Sequence, residues 1–217
     1  MRDRFFLFDL DGTLTDSREG ALNGVKLVLK HYGIAIPGER ELDRFIGPPL
    51  RDSFRRVGVP EGEIENAMKL YRSYYAAVGK FENSPYPGIK ELLARLSEEG
   101  YSLYVATSKP EVVSVEILEH FGLARYFGRI AGATLDGSID TKEAVIERLF
   151  EEIGAQHPRK NAVMIGDTVF DALGARSHGI PCVGVAWGYG IRSELLSAGV
   201  LAIAESTEAL YGILTRD

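Results

Sequence analysis

Apolar residues along this chain follow two rhythms, and the change from one to the other divides the sequence. The run Arg4 to Phe8 is short, apolar and rich in aromatics, which predicts a buried strand. After it the spacing turns helical. Segments near 17–32, 39–44, 49–57 and 61–79 carry apolar residues three and four apart. Leu22, Val25, Leu29 and Tyr32 form one stripe, and Ile64, Met68, Tyr71 and Tyr75 form another. Both are expected to be core, and no strand is predicted in this stretch. From Pro85 onward helices and strands alternate. Helices are predicted near 88–99, 111–121, 141–154, 169–178, 193–198 and 206–214. Strands are predicted at 102–106, 129–132, 162–165, 181–185 and 201–203.

Strands alternating with helices imply a parallel sheet with right-handed crossovers, hence an α/β core. A first strand buried on both faces fits that sheet. The all-helical stretch between the first and second strands implies a separate cap. The expected division is a core of residues 1–15 and 85–217 and a cap of residues 16–84. The linkers fall near Thr15-Asp16-Ser17 and Asn83-Ser84-Pro85-Tyr86-Pro87, where proline and small polar residues favour turns.

The chemistry collects where strands end. Asp9 and Asp11 follow the first strand directly, with Gly12 after them. Ligands of such sheets bind beyond the carboxyl ends of the strands. Two carboxylates at that edge are costly unless a cation sits between them. Mg²⁺ would serve, and would hold an anionic substrate against one of the aspartates. The strand at 102–106 runs into Thr107 and Ser108, which could present hydroxyls and backbone N–H groups at a helix N-terminus. Lys142 sits in the first turn of a predicted helix, against the helix dipole, with Asp140 or Thr141 as its cap. The strand at 162–165 leads through Gly166 into Asp167, and Asp171 follows four residues later on the first turn of a helix. Both acids can then face the same edge as Asp9.

The stretch Asp9-Leu10-Asp11-Gly12-Thr13-Leu14-Thr15 resembles the first motif of the haloacid dehalogenase-like phosphotransferases. Thr107 with Ser108, Lys142, and Asp167 with Asp171 are similar to the second, third and fourth motifs, in order and each at a strand end. The resemblance spans essentially the whole chain. It implies a Rossmann-like sheet with helices on both faces, and a helical cap like that of the phosphoglycolate phosphatase, 5′-nucleotidase and β-phosphoglucomutase branch. It also implies roles. Asp9 is the nucleophile and Asp11 the general acid and base. Thr107, Ser108 and Lys142 bind phosphate. Asp9, Asp11, Asp167 and Asp171 form the Mg²⁺ site, Asp11 through its backbone carbonyl. In the cap, Phe45-Ile46-Gly47-Pro48-Pro49-Leu50-Arg51 resembles the loop that reaches over the site, which makes Arg51 a candidate specificity residue. The segment Trp187-Gly188-Tyr189-Gly190 either borders the site or packs on the core.

The implied activity is Mg²⁺-dependent hydrolysis of a small phosphorylated metabolite through an aspartyl-phosphate. Alternatives are a phosphomutase of the β-phosphoglucomutase type, a pyrophosphatase or, least supported, a non-catalytic phosphate-binding module. Dehalogenation is disfavoured, because the resemblance implies that dehalogenases lack an acid at the position of Asp11.

Bulk properties narrow the setting. A net charge of −6 argues against a nucleic-acid surface, and means that an anionic substrate must be drawn by a local positive site. No run of 18 apolar residues exists, so no membrane span is expected. The first strand is predicted to begin within about four residues of the start, so no signal peptide is expected. The one cysteine, Cys182, reads as a buried strand residue and fits a reducing compartment. The expectation is a cytoplasmic monomer or homodimer. The four histidines, His31, His120, His157 and His178, lack metal-pair spacing.

Overall fold

The computed structural model describes residues 4–47, 50–154 and 159–216. The Pro48-Pro49 part of the expected cap loop, and His157, lie outside the described residues. The chain divides into two compact units, one of Met1–Asp16 with Pro85–Asp217 and one of Ser17–Ser84.

The first unit begins with β1 (Phe5–Phe8) and β2 (Thr15–Asp16), and the second contains α1 (Arg18–His31), α2 (Glu39–Asp43), α3 (Leu50–Arg56) and α4 (Ile64–Tyr74). The chain returns through β3 (Ser84–Pro85). It continues as α5 (Ile89–Glu98), β4 (Ser102–Pro110), α6 (Glu111–His120), β5 (Arg129–Ala133), α7 (Lys142–Ile153) and β6 (Ala162–Gly166). The last elements are α8 (Val169–Ser177), β7 (Cys182–Val185), α9 (Arg192–Ala198), β8 (Ala202–Ala204) and α10 (Thr207–Leu214).

Six strands form one sheet in the order β5-β4-β1-β6-β7-β8, and every adjacent pair is parallel. The alternation in β1 shows why a continuous apolar run suits it. Phe6 and Phe8 point to one face, where they join Leu93, Leu96, Ile117 and Leu210 of α5, α6 and α10. Phe5 and Leu7 point to the other, among Val145, Ile146, Leu149 and Ala175 of α7 and α8. All four β1 side chains are essentially inaccessible. At roughly 1.5–3 kcal/mol each for burial, this strand anchors both layers of the core. The chain works outward from β1 through β4 to β5, then restarts on the other side of β1 at β6. That reversal opens a crevice at the carboxyl ends of β1, β4 and β6.

The helical unit has its own core, with Val25, Val28 and Leu29 of α1 against Phe54, Ile64, Ala67 and Met68. The rings of Tyr71 and Tyr75 stack with centroids 5.9 Å apart. The pattern at 61–79 predicts one helix, but the segment is a 3₁₀ turn at Glu61–Glu63, α4, and a π-helical turn at Tyr75–Gly79. The wide turn ends where a Cβ on Gly20 would lie 1.9 Å from the Gly79 carbonyl oxygen, so α1 and this turn meet backbone to backbone.

Two local expectations change. Thr15–Asp16 and Ser84–Pro85 are short strands where linkers are predicted. And β4 runs through Thr107 and Ser108 to Pro110, so these hydroxyls lie on the extended end of a strand and not at a helix N-terminus. The pairing of β4 with β5 shifts register between Ala106 and Pro110, which lets the strand continue past its regular ladder.

Candidate active site

A cleft of about 190 Å³ lies at the carboxyl edge of the sheet, lined by Asp9, Asp11, Thr107, Ser108, Lys109, Lys142, Thr168, Phe170 and Asp171. Strand ends and the helices that follow them deliver these residues. Asp9 leaves β1 with its backbone N–H donating to the Ile165 carbonyl at 2.9 Å, which continues the sheet ladder by one residue. The chain then turns at Gly12, whose φ of +83° favours glycine. A Cβ there would also sit 2.2 Å from Asp167 Oδ2, so the turn is shaped to let that carboxylate in.

Lys142 is the first residue of α7, capped by Thr141, whose hydroxyl accepts from the Ala144 N–H. Its ammonium is buried and donates to the Ala106 carbonyl at 2.9 Å. The same nitrogen lies 2.8 Å from Asp9 Oδ1 and 2.7 Å from Asp171 Oδ1. Neither of those oxygens takes part in an aligned hydrogen bond, so the contacts are ionic and leave lone pairs unused. Asp171 Oδ2 accepts from the backbone N–H and the hydroxyl of Thr168 at 3.0 and 2.8 Å. Asp167 is fully buried. It accepts from the Thr13 hydroxyl at 3.1 Å and from the Tyr189 N–H at 2.8 Å.

The carboxylates of Asp9, Asp167 and Asp171 each offer an oxygen within 4.8 Å of the others. This proximity has electrostatic consequences. Burial pushes Asp167 up to about 7, with Asp171 and Asp9 adding repulsion and the Tyr189 and Thr13 donors opposing it. Burial also raises Asp9 to about 6, against the pull of Lys142 and with the push of Asp171. Burial alone would lower Lys142, but Asp171 and Asp9 outweigh it and hold the ammonium above its usual value. With Asp11 included, four carboxylates face two lysines in and behind the cleft, a formal surplus of two negative charges. That surplus, the all-oxygen donor set and the unused lone pairs fit a hard divalent cation.

The structure therefore gathers Asp9, Asp11, Thr107, Ser108, Lys142, Asp167 and Asp171 at one edge. The Asp11 side chain stands apart from the acidic cluster, paired with Lys109 at 2.8 Å. Lys109 and Thr13 go unremarked in the sequence reading, although both lie inside or beside the recognised motifs. The two alternatives divide between Tyr189, whose backbone N–H reaches Asp167 beside the site, and Trp187, which packs on the core. Tyr189 donates its hydroxyl to Asp16, and Trp187 its indole N–H to the Thr13 carbonyl. Arg51 belongs to the helical unit, where it is partly exposed and paired with Glu65. The thiol of Cys182 is buried, and burial pushes it up, away from thiolate chemistry.

The chain is similar to known proteins along most of its length. The chain is 44% identical over 192 residues to a 5′-nucleotidase of Pseudomonas aeruginosa, an alignment covering 87% of this chain and 85% of that protein. It is 41% identical over 184 residues to the tyrosine-protein kinase PtkA of Mycobacterium tuberculosis, covering 85% of this chain and 62% of that protein. The crystal structure of a predicted phosphatase from Clostridium acetobutylicum superposes with a TM-score of 0.87 at 43% identity, over 97% of both chains. The sequence pattern of the haloacid dehalogenase-like hydrolases matches residues 6–185, the span from β1 to β7 that carries every residue of the cleft, and the chain belongs to that family.

Proposed function

We propose that this chain is a Mg²⁺-dependent phosphatase that hydrolyses small phosphate monoesters through an aspartyl-phosphate on Asp9. One observation carries the reading: a buried nucleophile-bearing carboxylate, its lysine and two further acids converge on a cleft that also holds a second aspartate two residues along the chain. Asp9, Asp167 and Asp171 would hold the cation, with the Asp11 carbonyl. When bound it would supply positive charge to the phosphate and the attacking carboxylate.

In the first step an Asp9 oxygen attacks phosphorus and the P–O bond to the leaving group breaks. Asp11 gives its proton to the departing alkoxide. In the second step a water attacks the aspartyl-phosphate, its proton passes to Asp11, and inorganic phosphate leaves. Lys142 touches Asp9 throughout and stabilises the charge that builds on the equatorial phosphoryl oxygens. Thr107 and Ser108 supply hydroxyls to the same oxygens. Asp171 holds Lys142 in place through its Oδ1 and is itself fixed by Thr168 through its Oδ2.

The helical unit acts as the cap and selects the leaving group, with Arg51 as a contact. The similarity to a 5′-nucleotidase puts nucleoside monophosphates first among candidate substrates, ahead of phosphoglycolate and pyrophosphate. The lone buried cysteine fits a reducing, cytoplasmic setting. Phosphate release from a panel of these esters, with rapid acid quench to trap the phosphoenzyme, tests the reading. Transfer between two positions of a sugar phosphate, dependent on a bisphosphate and without net phosphate release, would instead establish a mutase. Failure to form any acid-stable phosphoprotein during turnover would exclude Asp9 as nucleophile.

A further inference from the structure

The ammonium of Lys109 lies 2.9 and 2.8 Å from the two carboxylate oxygens of Asp11. Its side chain is only 9% exposed, against 29% for that of Asp11. A long cation is thus largely withdrawn from solvent to grip both oxygens of one short acid. The backbone is built for this. Pro110 restricts the preceding residue to extended conformations, which excludes a helical Lys109. The Lys109 N–H donates to the Thr107 hydroxyl at 3.2 Å. The Lys109 carbonyl oxygen would lie 2.6 Å from a Cβ on Gly132, so only a glycine on β5 lets the strand end approach so closely. The Ser114 hydroxyl of α6 donates to the Pro110 carbonyl at 3.0 Å and closes the other side. The register shift between Ala106 and Pro110 is therefore braced on each side, and its product is a lysine aimed at Asp11.

We infer that Lys109 is a positioning residue for proton transfer: it holds the Asp11 carboxyl group in the one orientation that serves both halves of the reaction. The inference rests on the phosphatase reading above. Asp11 needs this help, because it sits on a partly exposed loop just before the Gly12 turn, where an untethered side chain samples several rotamers. The lysine keeps its proton throughout and takes no part in bond making or breaking. A misplacement of about 1 Å can cost on the order of a hundredfold in rate. General acid–base catalysis as a whole contributes about 10²–10⁴-fold. Loss of the tether should therefore cost about tenfold to a hundredfold in kcat, and only where Asp11 matters.

The test compares Lys109→Met, Lys109→Gln and Lys109→Arg with the unsubstituted chain, on a nucleoside monophosphate and on 4-nitrophenyl phosphate. The neutral variants should lose about tenfold to a hundredfold in kcat on the alkyl ester, with KM within about threefold. In rapid-quench experiments, phosphoenzyme formation from 4-nitrophenyl phosphate should fall by less than about threefold, because that leaving group needs little protonation. Inhibition by inorganic phosphate should be unchanged, and Lys109→Arg should recover most of the loss. A rise in KM and a tenfold weaker phosphate inhibition would make Lys109 a phosphate ligand and overturn the inference. So would equal losses in phosphoenzyme formation from both esters. Methionine keeps the length and apolar stem of lysine, and glutamine provides a second neutral variant should that one not fold. Absence of phosphate release by the unsubstituted chain would instead defeat the phosphatase reading, and this role with it.

Discussion

Asp167 offers the sharpest quantitative test, because its cost to the fold follows from its surroundings. It is fully buried, lies beside two other acids and is held up at about 7 against an ordinary 3.8. A folded-state value above the unfolded one means that the charged form is disfavoured in the fold. The penalty is absent below about pH 4, where the carboxyl is neutral in both states. It grows as pH rises, because unfolding then releases a proton, and it is complete above about pH 7. A gap of about three pKa units corresponds to about 4 kcal/mol at most, accumulating at about 1.4 kcal/mol per pH unit.

Asp167→Asn removes that charge but keeps an oxygen for only one of the two donors, Thr13 at Oδ1 and the Tyr189 N–H at Oδ2. The new carboxamide NH₂ lacks a built acceptor, at a cost of about 1–3 kcal/mol. In metal-free buffer the variant should therefore gain about 1–3 kcal/mol at pH 8 and gain nothing, or lose slightly, near pH 4.5. For a domain of this size the gain at pH 8 is about 2–10 °C in Tm. Urea or thermal unfolding in chelator at pH 4.5, 6 and 8 reads it directly. Saturating Mg²⁺ should reverse the order at pH 8, since a ligand bound only to the fold stabilises the unsubstituted protein. A stability difference that is the same at all three pH values would refute the electrostatic account of the cluster. So would a loss at pH 8 in chelator.

The other outcomes follow from the same geometry. Asp9→Asn should reduce turnover by several orders of magnitude while the fold persists by circular dichroism, and retention of more than about a hundredth of the rate would rule out covalent catalysis by this residue. Chelation should abolish activity, with Mg²⁺ restoring it and Ca²⁺ restoring little, because the longer bonds and higher coordination of Ca²⁺ suit a nucleophile-bearing site poorly; full turnover in chelator would contradict the metal assignment. Lys142→Met should destabilise the metal-free protein at pH 8 by about 3–5 kcal/mol, since it strands Asp9 and Asp171 as unpaired buried charges, and unchanged urea unfolding would show that the lysine does not hold the cluster together. Arg51→Ala should change stability by less than about 1 kcal/mol, because its pair with Glu65 is solvent-exposed, yet it should reorder kcat/KM across nucleotides, phosphoglycolate and an aryl phosphate. A uniform change on every substrate would remove Arg51 from specificity.

Most of the architecture was legible because its signals are local and strong. Strands such as Ala162–Gly166 and Cys182–Val185 are short apolar runs flanked by helical periodicity, and the sheet buries them on both faces. Asp9 and Asp167 were legible for the same reason, since each follows such a run directly, and Asp11 and Asp171 lie two and four residues beyond them. The misses occur where tertiary contacts override the local pattern. Nothing in the spacing at 61–79 announces that α1 must meet the helix end backbone to backbone, so the π-helical turn at Tyr75–Gly79 could not be read from apolar periodicity. The β4 boundary was a subtler error. Two hydroxyl residues after a strand commonly cap a helix, and that local preference predicts a helix N-terminus here. The pairing of Pro110 with Ala133 on β5 extends the strand instead.

That boundary is also where the functional reading gained most from the structure. Seen as the approach to a helix, Thr107-Ser108-Lys109-Pro110 assigns its hydroxyls to phosphate and leaves the lysine with no role. As the braced end of a strand, the same four residues bind to one another. The Thr107 hydroxyl accepts from the Lys109 backbone, and Lys109 reaches Asp11. One signal for this was present in the sequence, for a proline directly after the lysine argues against helical geometry there. What the sequence could not supply was the partner. Asp11 and Lys109 stand 98 positions apart in the chain. They meet only because β1 and β4 are hydrogen-bonded neighbours, with Phe8 opposite Val105, so that both chains leave the sheet side by side. Parallel pairing in an α/β sheet thus has a chemical consequence: it aligns the residues just beyond neighbouring strands. In this chain it sets Asp11, the proposed proton-transfer acid, beside the ammonium of Lys109.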